Sequence, residues 1–247
     1  MFSATLAVAR RVLRQLAADR RFLLLSLIAP LIAVFICKAV LDSFTNPFFE
    51  ISPFVVPIGA FVVHFVTYVL CAIVLVRERS QGTLARMFVN GYRQAHIIGG
   101  YVMAYTVVAT AQSIAVMIEL RQLFHLRYAM HVLLSLYLVI WILAVISICL
   151  GICVSNFART EGQVFPFIPL VTIPGIFLSG LIISVDQLPQ WAQWLARMTP
   201  LYYANLIIQQ LIKPDGALSA NALRLATLVL YGLVVMTLAT WTLRESD

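Results

Sequence analysis

The chain has 247 residues, of which 62% are hydrophobic and 11% are charged. Soluble domains carry ~25% charged residues, so this composition excludes a soluble globular chain, and it equally excludes a disordered or disulfide-stapled one. What remains is an all-α polytopic membrane protein, whose net charge of +7 is spread between apolar runs and so reads as orientation information, with no nucleic-acid partner implied.

Residues 1–21 predict an amphipathic helix. Leu6, Val8, Ala9, Val12, Leu13 and Leu16 form its apolar side, and Arg10, Arg11, Arg14 and Asp19 its polar complement. A basic amphipathic helix just before a span lies among lipid headgroups. A cleaved signal peptide is not expected, because the apolar run from Phe22 is too long for one and no small-residue cleavage site follows promptly. Six apolar stretches come next: Phe22–Leu41, Pro53–Val76, Ile97–Ile118, Val132–Ala158, Val164–Val185 and Leu225–Leu243. Each is near or above the ~20 residues that cross a bilayer core as a helix. Glu119, Arg121, His125 and Arg127 interrupt the third and fourth.

Eleven Lys and Arg residues fall on the side of the N-terminus and six on the other. The excess places both termini in the cytoplasm. The segment Asp42–Ser52, with two acids and no base, agrees. Cys37, Cys71, Cys149 and Cys153 all fall within spans and read as small packing residues.

Little in the chain suggests chemistry of its own. A phosphate-binding P-loop needs Lys between Gly and Ser or Thr. Lys38 stands between Cys37 and Ala39, and Lys213 between Ile212 and Pro214, so neither serves. His64 is central in the second span, while His96, His125 and His131 fall at span ends, and no metal set is formed. No carboxylate lies inside the expected spans, which disfavours a proton relay. No catalytic constellation, bound cofactor or metal is expected.

Two segments carry more pattern. Within the cytoplasmic segment 77–96, Gln81–Val89 predicts a short helix stopped by Asn90-Gly91. Arg77, Glu78, Arg79 and Arg86 give it charge, and Leu84, Met87 and Phe88 an apolar side, a composition suited to docking in a partner's groove. In segment 186–224, Leu188, Trp191, Leu195 and Met198 predict a one-faced helix ended by Pro200, and Leu201–Ile212 a second helix too short to span. These two are expected as short re-entrant helices in the outer leaflet between the fifth and sixth spans.

Taken in order, the basic amphipathic start, the first span with Pro30, the run Glu78-Arg79, Gly82-Thr83-Leu84 and Arg86, and the later run Phe177–Leu181, Leu188-Pro189, Trp191, Pro200, Tyr202 and Tyr203 carry a resemblance. The whole chain, 1–247, resembles the membrane subunit of type-2 ABC exporters, the class that includes bacterial drug, polysaccharide and lipo-oligosaccharide export permeases.

The resemblance implies a single six-span domain in a bacterial inner membrane, surrounded by lipid. It implies a second copy of the chain as partner, and a separate ABC ATPase subunit that holds ATP and Mg. This chain would then be non-catalytic. The stretch Arg77, Glu78, Arg79, Gly82, Thr83, Leu84 and Arg86 would be the element that receives ATP-driven motion. The second and fifth spans would line the substrate path, with Phe61, His64, Phe65, Tyr68, Phe167 and Phe177 suited to amphipathic or lipidic cargo. Two other readings compete. A passive channel would use the polar set Thr106, Thr110, Gln112 and Ser113. A lipid-modifying membrane enzyme would use Glu119, Arg121, His125, Arg127 and His131.

Overall fold

A computed structural model describes residues 2–43, 52–213 and 216–243. Among them the regular structure is helical, with no strand. In chain order the α-helices are α1 (Phe2–Ala18), α2 (Arg20–Ser43), α3 (Ser52–Ser80), α4 (Thr83–Val89), α5 (Gln94–Leu123), α6 (Met130–Ser155), α7 (Glu161–Val164), α8 (Phe167–Leu178), α9 (Gln190–Ala196), α10 (Pro200–Leu211) and α11 (Ala222–Thr242). Among the described residues six segments are long and apolar enough to cross a membrane: α2, α3, α5, α6, the α7–α8 pair and α11. They match the six expected stretches. Most of the acidic segment expected at Asp42–Ser52, and Arg244, lie outside the described residues.

The helices differ from the expected spans at their ends. α3 has 29 residues and α5 has 30. At ~1.5 Å per residue these exceed the ~30 Å apolar thickness of a bilayer, so their ends project beyond it. Residues expected in a loop, Arg77 to Ser80, instead complete the last turn of α3. Nothing in Arg-Glu-Arg-Ser breaks a helix, and Gly82 is the first residue that does. The fifth span departs the other way. It breaks at Phe165-Pro166, where proline supplies no N–H, and it ends at Leu178 rather than at Val185. Asn205 Nδ2 and Gln209 Nε2 of α10 donate to the carbonyls of Ser179 and Gly180, replacing the bonds a further helical turn would have made.

Three helices form the interior. In their most apolar stretches α3, α5 and α6 are 56%, 50% and 67% buried, against 17% for each of α2, the α7–α8 pair and α11. Small residues bring the inner helices together. A Cβ on Gly151 of α6 would stand 2.7 Å from the Cys71 Cβ, 2.7 Å from the Tyr68 carbonyl oxygen and 2.8 Å from the Ala72 nitrogen of α3. The two backbones therefore touch with no side chain between them.

α1 packs on the first turns of α5 through Val8, Ala9, Val12 and Leu16. Gly99 and Gly100 make room there, and a Cβ on Gly100 would fall 2.5 Å from a Val8 methyl. Leu6, expected on the same apolar side, is exposed.

Beyond the fifth span, α10 starts at Pro200, a residue whose missing N–H costs nothing at a first helical position. It buries Leu201, Ala204, Ile207, Ile208 and Leu211 against α3, α6 and α11. In α9 the buried residues are Ala192 and Ala196, while Trp191, Trp194, Leu195 and Met198 face outward. The one-faced pattern of Trp191, Leu195 and Met198 is therefore the exposed side of this segment.

Candidate functional site

The last turn of α3 fastens three helices. Glu78 is only 3% exposed, and its Oε2 accepts a hydrogen bond from Arg11 Nη2 of α1 at 2.9 Å. Burial opposes the Arg11 charge, but the hydrogen bond and the charge of Glu78 overcome it and raise the guanidinium pKa. A buried carboxylate without such a partner is costly, so the pair holds α1 and α3 together. The next residue, Arg79, turns the other way. Its Nη1 donates to the carbonyls of Ser155 and Ala158, where α6 ends. A cation there satisfies carbonyls that the helix leaves open and complements its dipole. Arg77 is exposed and stands 4.0 Å from Asp19.

α4 follows directly. Gly82 adopts φ +66°, a left-handed turn that separates α4 from α3. The helix then runs from Thr83, two residues later than Gln81 where it was expected to begin. It closes on Gly91, at φ +79°, in a Schellman arrangement: Gly91 N–H donates to the Phe88 carbonyl and Tyr92 N–H to the Met87 carbonyl. Leu84 and Met87 are its buried residues. Arg11 Nη1 also donates to Met87 Sδ at 3.3 Å, so one guanidinium touches α3 and α4 from α1. Ala85, Arg86 and Val89 face outward, Val89 with 84% of its surface exposed. The structure thus places Glu78, Arg79, Gly82, Thr83 and Leu84 at the turn between α3 and α4, with Arg86 exposed on the outer face.

The sequence offered no sign that Arg11 belongs to this group. It is one of three arginines on the polar side of α1. The available signal was Glu78 itself, an acid two residues past the apolar run Val74-Leu75-Val76 and between Arg77 and Arg79.

The aromatic set on the second and fifth spans is divided. On α3, Phe61 and Phe65 stack with centroids 6.0 Å apart and are half-buried. One step around the helix, His64 and Tyr68 are buried and stack at 6.5 Å. His64 Nδ1 lies 2.7 Å from Ser147 Oγ on α6, and the Tyr68 hydroxyl donates to the Phe167 carbonyl of α8 at 3.0 Å. Phe177, at the other end of α8, is 54% exposed. Tyr68 and Phe167 are therefore brought together, and Phe177 stands apart from them.

The polar residues of the two competing readings are spread. Trp141 Nε1 donates to Thr110 Oγ1 at 2.8 Å, Thr67 Oγ1 to Gln112 Oε1 at 3.3 Å, and Thr106 Oγ1 to the Val102 carbonyl. Gln112 and Ser113 are buried within the bundle. Arg121, His125, Arg127 and His131 are exposed, and no hydrogen bond or ion pair joins them among the described residues. Nor do three His, Cys, Asp or Glu side chains converge to hold a metal ion among those residues.

A family model described as ABC-2 type transporter matches residues 3–212. A curated relative from Escherichia coli K12, named "Probable multidrug ABC transporter permease YbhR", is 26% identical over 183 residues, covering 73% of this chain and 49% of that protein. "ABC transporter G family member 20" of Dictyostelium discoideum is 22% identical over 180 residues, covering 72% of this chain and 24% of that protein. The chain spans half or less of the length of these relatives.

Proposed function

Since the chain belongs to the ABC-2 type transporter family, we propose that it is the permease subunit of an ATP-driven exporter. In this reading two copies form the transport unit, and a separate ABC ATPase, with its ATP and Mg, supplies the energy. The setting is a bacterial cytoplasmic membrane, with both termini on the cytoplasmic side. The cargo is amphipathic, a drug, lipid or glycolipid. The name of the Escherichia coli relative supports the drug class.

One observation carries the coupling part of this reading: Arg11 contacts both Glu78 and Met87. A displacement of α4 reaches α3 and α1 through that side chain, and reaches α6 through Arg79. The ATPase docks on the outward face of α4, at Arg86 and Val89. Exposed large side chains on α2 (Leu25, Ile32, Phe35) and α8 (Leu170, Ile173) support a second copy or lipid against these helices. The half-buried Phe61 and Phe65 then face the path between copies, while His64 and Tyr68 brace α3 behind them.

Affinity purification of the tagged chain from its own membrane in mild detergent tests the reading. A stoichiometric Walker-motif ATPase is expected to co-elute. Arg86→Glu reduces its recovery about tenfold by reversing the charge at the docking face. Glu78→Ala retains the ATPase but loses ATP-dependent transport. A chain that elutes alone, without ATP-linked activity, overturns the proposal.

A further inference from the structure

Near the ends joined by residues 124–129, α5 and α6 leave a groove of about 340 Å³ between them. Met117 and Leu133 are buried and form its floor, while Ile118 and Leu134 rise beside them, each more than half exposed. In an antiparallel helix pair, residues equally far from the connection stand at one depth. Ile114 and Tyr137 therefore close the deep end, and Arg121 lies at the mouth. Seven residues from Ile114 to Arg121 rise ~10 Å. One leaflet contributes about half of the ~30 Å apolar core, so the groove runs along most of an acyl chain's depth.

Its charge is of one sign. Arg121 is the charged residue of the lining, and no carboxylate lines the groove. The side chain is exposed and has no ion pair among the described residues. Lys38, near the same end of the bundle, differs: it stands 5.7 Å from the Phe124 ring centroid and pairs with Asp42. Glu119 is two positions before Arg121, which turns it ~200° around α5 and away from the groove. Arg121 stands three residues past Ile118, where the apolar run ends, so its guanidinium reaches headgroup depth.

A guanidinium fork matches phosphate oxygens, and basic pockets between membrane helices select acidic headgroups. The ammonium of a zwitterionic headgroup would meet no carboxylate here. We propose that this groove binds one anionic phospholipid, with its phosphate on Arg121 and an acyl chain along Met117 and Leu133. The proposal needs the chain to sit in a bilayer and uses nothing of the exporter reading.

Native mass spectrometry of the full chain in detergent micelles tests it by counting bound lipid during titration. The probes are dimyristoyl phosphatidylglycerol and dimyristoyl phosphatidylcholine, which share their acyl chains. One phosphatidylglycerol is expected to be held about tenfold more tightly than phosphatidylcholine. Arg121→Gln is expected to bring the two within about twofold. Arg127→Gln removes the same charge outside the groove and is expected to leave the preference intact. Leu134→Trp fills the groove and is expected to weaken both lipids about fivefold. All three side chains are exposed, so the variants are expected to fold, and thermal unfolding without lipid checks each. Glycerol phosphate at about a hundredfold excess is expected to displace no lipid, since it has no chain to bury. Equal binding of the two lipids, equal effects of Arg121→Gln and Arg127→Gln, or no effect of Leu134→Trp overturns the proposal. Displacement by glycerol phosphate also overturns it, by showing a site for free phosphate. So does a dimer that retains no lipid, because a second copy then covers the groove.

Discussion

α2 and α3 are about equally apolar, yet α3 is largely buried and α2 is not. The contrast extends to all six spans: α3, α5 and α6 make an interior, and α2, the α7–α8 pair and α11 form a rim around it. Apolarity does not separate the two groups, because lipid tails accept a leucine as readily as a protein interior does. α3 and α6 meet at small and hydrogen-bonding residues, closest at Gly151. α3 and α6 carry Gly59, Ala60, His64, Ala144, Ser147 and Gly151, while α2 presents Leu24, Leu25, Ile28, Ile32 and Phe35 to its surroundings.

The strongest challenge to that contrast is at Gly151. Gly151→Val places atoms where α3 backbone already stands, and a loss of about 3 kcal/mol is expected in reversible unfolding from bicelles. Leu233→Val on the rim helix α11 is expected to change stability by less than ~0.5 kcal/mol in the same assay. Similar losses at both positions would erase the distinction between core and rim.

Smaller effects follow at the fastened end. Arg11→Ala and Glu78→Ala are each expected to cost about 2 kcal/mol. That is below the usual loss for a fully buried pair, because the Arg11 side chain is 38% exposed. The double variant should cost little more than either single one, which a thermodynamic cycle reads directly. Additive losses would show that the two residues do not act as a pair.

Ser147→Ala removes the partner of His64 and is expected to cost ~0.6 kcal/mol, typical of a hydrogen bond between membrane helices. Smallest of all, Arg86→Glu should leave stability within ~0.5 kcal/mol, since the side chain faces outward. Its effect belongs to partner capture.

The six spans were legible because the length of an apolar run is a local property, read residue by residue. α4 was legible too, since Asn90-Gly91 is a helix stop and Leu84 and Met87 share one face. The run Glu78, Arg79, Gly82, Thr83 and Leu84 falls at the turn between α3 and α4. Its fastening was not legible. Arg11 and Glu78 are 67 positions apart, and no local pattern pairs them. The stripe of Trp191, Leu195 and Met198 was legible as one face, but an apolar stripe on a membrane helix does not say whether protein or lipid covers it. The early end of the fifth span depended on Asn205 and Gln209, whose side chains reach back from α10.

The contact at Gly151 also limits how the chain can deform. Where side chains separate two helices, a change of rotamers lets one slip past the other. α3 and α6 have no such layer at this point, since backbone meets backbone. Their crossing therefore has no slack, and Arg79 ties the same two helices again at the end of α6. A pull on the last turn of α3 moves α6 by an equal amount and at the same moment. Any change of shape in this chain must take place between that paired block and the helices around it.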